Sequence, residues 1–297
     1  MQRLKGVLMI VIGAMLWGAT GPLMEWLLSE TPLTVPFLLT IRLTVAGILL
    51  LLFLQIGLKK KVSTIWKQKI WLKQLFIFSI FGMLGLQYSF VATIDASNAI
   101  VATLLQFLAP IFVVLYVSLS MRKFPPRYQV LGIAGTLVGL FLLLTNASFD
   151  TLLVSTKALI WGVAVGLSFA FYTLYPARLM KEWGVLVVVG WGMFLGGMLL
   201  GIGTGLWRSP EWVLLKDGTM IILLTLLILF GTAAFVLFLS SMKYISPVET
   251  SVLSSIEPLT AMLISVVMFG ATLGMWQVIG IVIMLVCVTW LSVAGNK

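Results

Sequence analysis

The sequence predicts an all-α integral membrane protein of ten transmembrane helices arranged as two inverted five-helix repeats. Three observations carry that prediction. Hydrophobic residues make up 61% of the 297 residues and charged residues only 9%, with a mean hydropathy of +1.16, so there is too little polar surface to coat a soluble globule. The apolar residues fall into runs close to the roughly 20 residues that a helix needs to cross a bilayer. Motifs of the first half also return in the second at a fixed spacing.

The apolar spans lie at about 6–28, 34–57, 74–92, 98–121, 128–146, 158–177, 185–206, 219–241, 248–269 and 274–294. Each is read as a helix, because lipid offers no partner to the backbone of a lone strand or loop. Met1–Lys5 and the first span together resemble a secretory signal. The apolar run is long for one, and no small-residue cleavage site follows, so it is read as an uncleaved first helix.

The repeat is read next. At one offset Pro110 returns as Pro258, Leu115 as Leu263, Gln129 as Gln277, Gly132 as Gly280 and Ile133 as Ile281; YQVLGI and WQVIGI are the clearest pair. Trp17-Gly18 and Trp161-Gly162 match at a slightly shorter offset. The halves are therefore placed at 6–146 (spans 1–5) and 157–294 (spans 6–10). An odd number of crossings per copy turns the second copy upside down.

Charge placement predicts orientation. With the N-terminus inside, the inner segments hold Arg3, Lys5, the lysines of Lys59–Lys73, Arg122, Lys123, Arg127, Arg178, Lys181, Lys243 and Lys297, whereas the outer segments hold Lys157, Arg208 and Lys216. This positive-inside pattern puts both termini in the cytoplasm of a multi-pass cell-membrane protein. It also accounts for the excess of 19 Lys+Arg over 9 Asp+Glu without a nucleic-acid partner. Lys59–Lys73, with Ile65, Trp66, Ile70 and Trp71 among its lysines, reads as a short interfacial segment on the anionic inner leaflet, a topology anchor.

Several chemistries are missing from the sequence. There is no histidine, and the single Cys287 lies in the last span, so no metal set, disulfide framework or cofactor is expected. No phosphate-cradling G-x-x-x-x-G-K-[ST] and no clear nucleophile–base set is present. An enzyme is not expected; a membrane channel or a membrane-embedded enzyme remains the alternative.

The Trp-Gly pairs, IRLTVAG around Arg42, and the stretches SNAIVATLLQFLAP and ISPVETSVLSSIEP resemble the EamA-type members of the drug/metabolite transporter superfamily. IDASNAIVATLLQFLAP and AFYTLYPARL are similar to its YicL-like carboxylate/amino acid/amine branch. Many relatives carry Gly-Glu after the fourth and ninth helices, where this chain has Met121-Arg122 and Gly270-Ala271. The resemblance implies a central cavity ringed by spans 1, 3, 4, 6, 8 and 9, and export of small metabolites such as amino acids or amines. The expected partners are a small-molecule substrate, the lipid bilayer and protons; oligomeric state and transport direction are left open.

The two proline stretches carry the candidate site. Proline lacks an N–H and crowds the carbonyl four residues back, so Pro110 and Pro258 are expected to loosen the backbone at Gln106 and Ser254. Thr250, Ser254 and Glu257 share a helical face, with Ala102, Gln106 and Ala109 as repeat equivalents. Glu257 and Arg42 are charges inside apolar spans and must face the bundle interior or water. Arg42 is expected to pair with Glu257 or with Glu25. Glu257 is alternatively the proton-coupling group, and Glu249 a solvated helix-end charge. Trp17, Thr20, Gln87, Asn98, Tyr172 and Tyr175 complete the cavity candidates. Gly192, Gly196, Gly197, Gly201 and Gly205 of span 7 form a close-packing surface, read as internal rather than dimeric.

Overall fold

Residues 2–148, 152–245 and 247–294 are described by a computed structural model, and among them there is no strand. Ser246, at the head of SPVETSVLSSIEP, and Lys297 of the inner-face charges lie outside the described residues. In chain order the helices are α1 (Gln2–Glu30), α2 (Val35–Gly57), α3 (Lys69–Ala96), α4 (Ala99–Gln106), α5 (Ala109–Met121), α6 (Arg127–Thr145) and α7 (Thr156–Leu174). They continue with α8 (Ala177–Trp183), α9 (Val185–Thr204), α10 (Gly218–Ser241), α11 (Pro247–Ser254), α12 (Ile256–Phe269) and α13 (Met275–Ala294). Counting α4–α5 as one unit, 8 described helices are long and apolar enough to cross a membrane, and α12 and α13 are further apolar helices.

Local chemistry sets the ends. Asn98 caps α4 by accepting from the Val101 amide at 2.9 Å, Ser155 caps α7 through Ala158 at 3.1 Å, and Asp217 caps α10 through Thr219 at 2.9 Å. Arg122, Asn146, Gly205 and Gly270 end helices in the left-handed conformation. Among the boundaries that depart from the sequence reading, two have a local cause. The third helix starts at Lys69 rather than at 74, because the long stems of Lys69 and Lys73 carry their charges out to the surface. The sixth stops at Leu174, since Pro176 interrupts it and a separate α8 follows.

The first helix of each half nests in the other half. α1 packs against α10, α11 and α12, while α7 packs against α3, α4 and α5. The Trp-Gly motifs make these crossings close. A Cβ on Gly18 would run into the Glu257 carbonyl and lie 2.7 Å from Thr260 Cβ, and one on Gly162 would run into the side chain of Leu105. α2 pairs with α9, and α6 with α13. The glycine row of span 7 is spent inside the bundle: a Cβ on Gly197 would sit 2.7 Å from the Thr44 amide nitrogen. Gly205 instead ends α9 with φ 66°.

Candidate functional site

The two proline stretches are broken helices. α-Helical bonding stops at Gln106, passes through Leu104–Phe107 and Leu105–Leu108 turns, and resumes at Ala109. The second stretch is likewise divided, with Ser255 between α11 and α12. Both breaks fall a turn or less before the proline, where its ring displaces the preceding carbonyls.

Between the halves lies a cavity of about 530 Å³. Trp17, Thr20, Arg42, Gln87, Gln106, Pro110, Tyr172, Ser254 and Glu257 stand on its wall. Three cavity candidates do not: Asn98 caps α4, Tyr175 stacks on Phe171 at 4.7 Å, and Thr250 is buried in α11. Pro258, read as a kink residue, is buried in α12. The ring is also wider than the resemblance implies. Arg42 and Ala46 of α2, Met193 of α9, and Val288 and Thr289 of α13 contribute alongside spans 1, 3, 4, 6, 8 and 9.

Arg42 and Glu257 are the basic and acidic side chains on this wall among the described residues. The expected ion pair of Arg42 does not form. Its guanidinium donates to the Gln87 side-chain oxygen at 3.1 Å and to Met24 Sδ at 3.3 Å, and it has no carboxylate partner among the described residues. Glu25 is engaged elsewhere. Its carboxylate accepts from the Ala99 amide at 2.8 Å, where the positive end of the α4 dipole favours an anion. Arg42 is 8% exposed, and Gly231 leaves room for its Nη2, which an added Cβ would approach to 3.3 Å. Glu257 has no hydrogen-bond or ionic partner among the described residues. Glu249 is tied to the start of α1, accepting from Arg3 Nη2 at 2.7 Å.

The remaining wall is mostly apolar. Trp17 meets Phe235 edge-on at 5.2 Å and Phe238 at 5.4 Å, and Thr20 turns its hydroxyl back to the Trp17 carbonyl at 2.7 Å. Tyr172 lies on Phe78 at 5.3 Å. Sequence reasoning missed Ser255 and Thr289, whose hydroxyls lie 3.2 Å apart on the wall. Nothing in the repeat marks them, and hydroxyls in membrane helices commonly bond to their own backbone.

Met24, Leu27, Phe37, Leu38, Ile94 and Leu227 belong to a buried cluster between the end of α1, the start of α2 and the end of α3. The same end is tied by Lys157–Asp95 at 3.2 Å and by Ser155 donating to the Ala96 carbonyl at 3.1 Å. At the other end, where α1 begins and α10 finishes, Met180, Val185 and Met242 border the cavity.

The EamA-like transporter family matches this chain twice, over residues 4–145 and 156–293. The chain belongs to that family. Among relatives of this EamA-like protein, the uncharacterized inner membrane transporter YicL of Salmonella typhimurium is 34% identical over 294 residues, covering 99% of this chain and 97% of the relative. An uncharacterized transporter of Archaeoglobus fulgidus is 28% identical over 193 residues, covering 65% and 66%. A solved crystal structure shares the fold with a TM-score of 0.64 at 16% identity, covering 96% of this chain and 95% of its own. The EamA-like protein is thus a multi-pass membrane protein of a transporter family, with its broken helices at the central cavity.

Proposed function

We propose that this protein is a secondary transporter that exports small polar metabolites, amino acids or amines, across the cytoplasmic membrane by alternating access. The observation that carries the reading is the pairing of charges without contact. Arg42 and Glu257 face one cavity, and neither is neutralised by the other or by any described carboxylate or cation. Holding separate charges inside an apolar bundle is costly unless a ligand or cavity water answers them. A ligand with a carboxylate, an ammonium or both would do so, with the aromatic wall taking its apolar part.

The packing supports two inverted five-helix halves, 6–146 and 157–294, making ten crossings with both termini cytoplasmic. α1 lies in the second half as α7 lies in the first, and the α2–α9 and α6–α13 pairs join equivalent helices. In this arrangement the buried cluster at the end of α1 would form the outer closure, and rocking of the halves would move the closure to the other side. Glu257 is the proton-coupling candidate. A channel fits less well, because the chain is matched twice by one repeat, which favours rocking of two halves around a central site.

The test is counterflow into proteoliposomes preloaded with single amino acids and amines. Saturable exchange of at least one class, abolished in Arg42→Gln, is expected. Flux that stays linear in concentration would replace this reading with a channel.

A further inference from the structure

The connection between α2 and α3 is a fixed platform. Lys59 takes the left-handed conformation at φ 52°, a 3-10 turn spans Val62–Lys67, and α3 follows from Lys69. Val62 and Ile65, 4% and 0% exposed, are embedded in the core with Leu54, Leu75 and Leu179. Trp191 of α9 clamps the turn from beside: its indole N–H donates to the Val62 carbonyl at 2.8 Å, and its ring meets Trp66 edge-on at 4.9 Å.

The upper surface of this platform is cationic and the rim is apolar. Lys59, Lys60, Lys61, Lys67, Lys69 and Lys73 are all exposed, and none forms an ion pair among the described residues. The sequence has no acid between Glu30 and Asp95 to answer them. Beside the lysines, Ile56 and Ile70 are 73% and 74% exposed, and Phe53 and Leu58 about half exposed. Phe53 and Ile56 lie in the last turns of the membrane-spanning α2, so the lysines that follow stand at the level of the lipid headgroups. A bilayer surface covers both, phosphates over the ammonium groups and acyl chains over the rim.

We propose that the Lys59–Lys73 platform is a binding site for the headgroup phosphates of anionic phospholipids, seated beside the mouth of the cavity. The platform shares its core with the mouth. Val62 and Ile65 sit in one cluster with Leu179, Val187 and Met193, against which Met180 and Val185 pack, and Met180, Val185 and Met193 are on the cavity wall. A headgroup bridging these lysines therefore braces the α3–α8–α9 corner at the mouth. The site does not depend on what the cavity carries.

The experiment uses the full-length protein in neutral detergent, titrated with phosphatidylglycerol, with phosphatidylcholine of the same acyl chains, and with inorganic phosphate. Thermal midpoint and retained lipid by native mass spectrometry are the readouts. Phosphatidylglycerol is expected to raise the midpoint and to bind about tenfold more tightly than phosphatidylcholine, with inorganic phosphate having little effect. Replacing Lys59, Lys60, Lys61 and Lys67 together by Gln should remove that preference, and replacing them by Arg should keep it. Removing Arg122, Lys123 and Arg127, also by Gln, should leave it intact. Equal effects of the two lipids, an equal shift with inorganic phosphate, or full preference in the fourfold Gln variant would each overturn the proposal.

Discussion

The Arg42 guanidinium is held by the Gln87 side-chain oxygen at 3.1 Å rather than by a carboxylate, and it stands on the cavity wall. A neutral acceptor aims the cation without cancelling it. Hydrogen bonds to charged groups contribute about 1.5–3 kcal/mol. Gln87→Leu is therefore expected to raise the KM for a carboxylate-bearing substrate by roughly tenfold, with maximal flux changed less. Gln87→Glu would supply the missing ion pair: a higher thermal midpoint together with weaker substrate binding is expected. Unchanged transport in both variants would remove Arg42 from the binding site.

Arg42→Met separates stability from function. A buried cation without a carboxylate partner is a cost to the fold, and well-packed apolar replacements of buried charges are often neutral or stabilising by about 1–4 kcal/mol. The variant should melt at or above the wild-type temperature in detergent while substrate counterflow is lost. A large fall in midpoint would show Arg42 to be a structural residue.

Glu257→Gln keeps the shape of the wall and removes the titrating oxygen. Flux driven by a pH gradient should vanish in proteoliposomes, and substrate exchange without a gradient should persist. If pH-driven uptake is unaltered, Glu257 carries no proton.

The Gly18 crossing can be tested by stability alone. A Cβ there meets the backbone of Glu257 and the Cβ of Thr260, and backbone does not yield as a side-chain tip does. Gly18→Ala should cost about 1–3 kcal/mol and lower the midpoint. Gly203→Ala, with nothing within 4 Å of the added atom, should be neutral or stabilise by up to about 1 kcal/mol. Equal melting of the two variants would contradict the close crossing.

Much of this molecule is legible in the sequence for physical reasons. A charge in an apolar run has few places to go, and Arg42 and Glu257 both stand on the cavity wall. The breaks after Gln106 and Ser254 lie where a proline deprives the backbone of a bond. What is not legible depends on distant neighbours. Charge balance favours a carboxylate for Arg42, but Glu25 is already committed to the Ala99 amide, so Gln87 and Met24 hold the guanidinium. Asn98 has the residue type of a cavity amide and the position of a helix cap, and the cap is what it forms. Ser255 and Thr289 meet across two helices with no local signal.

The exchange of first helices bears on how the chain is made. α1 leaves the ribosome long before the α10–α12 elements that bury it, a gap of 246 residues at Arg3–Glu249. Until those helices are inserted, the Gly18 face of α1 has only lipid beside it. α7, by contrast, finds α3, α4 and α5 already in the membrane. Assembly therefore has a direction: the first half waits for the second, and an amino-terminal fragment ending after α6 would be synthesised without the α10–α12 partners of its own first helix.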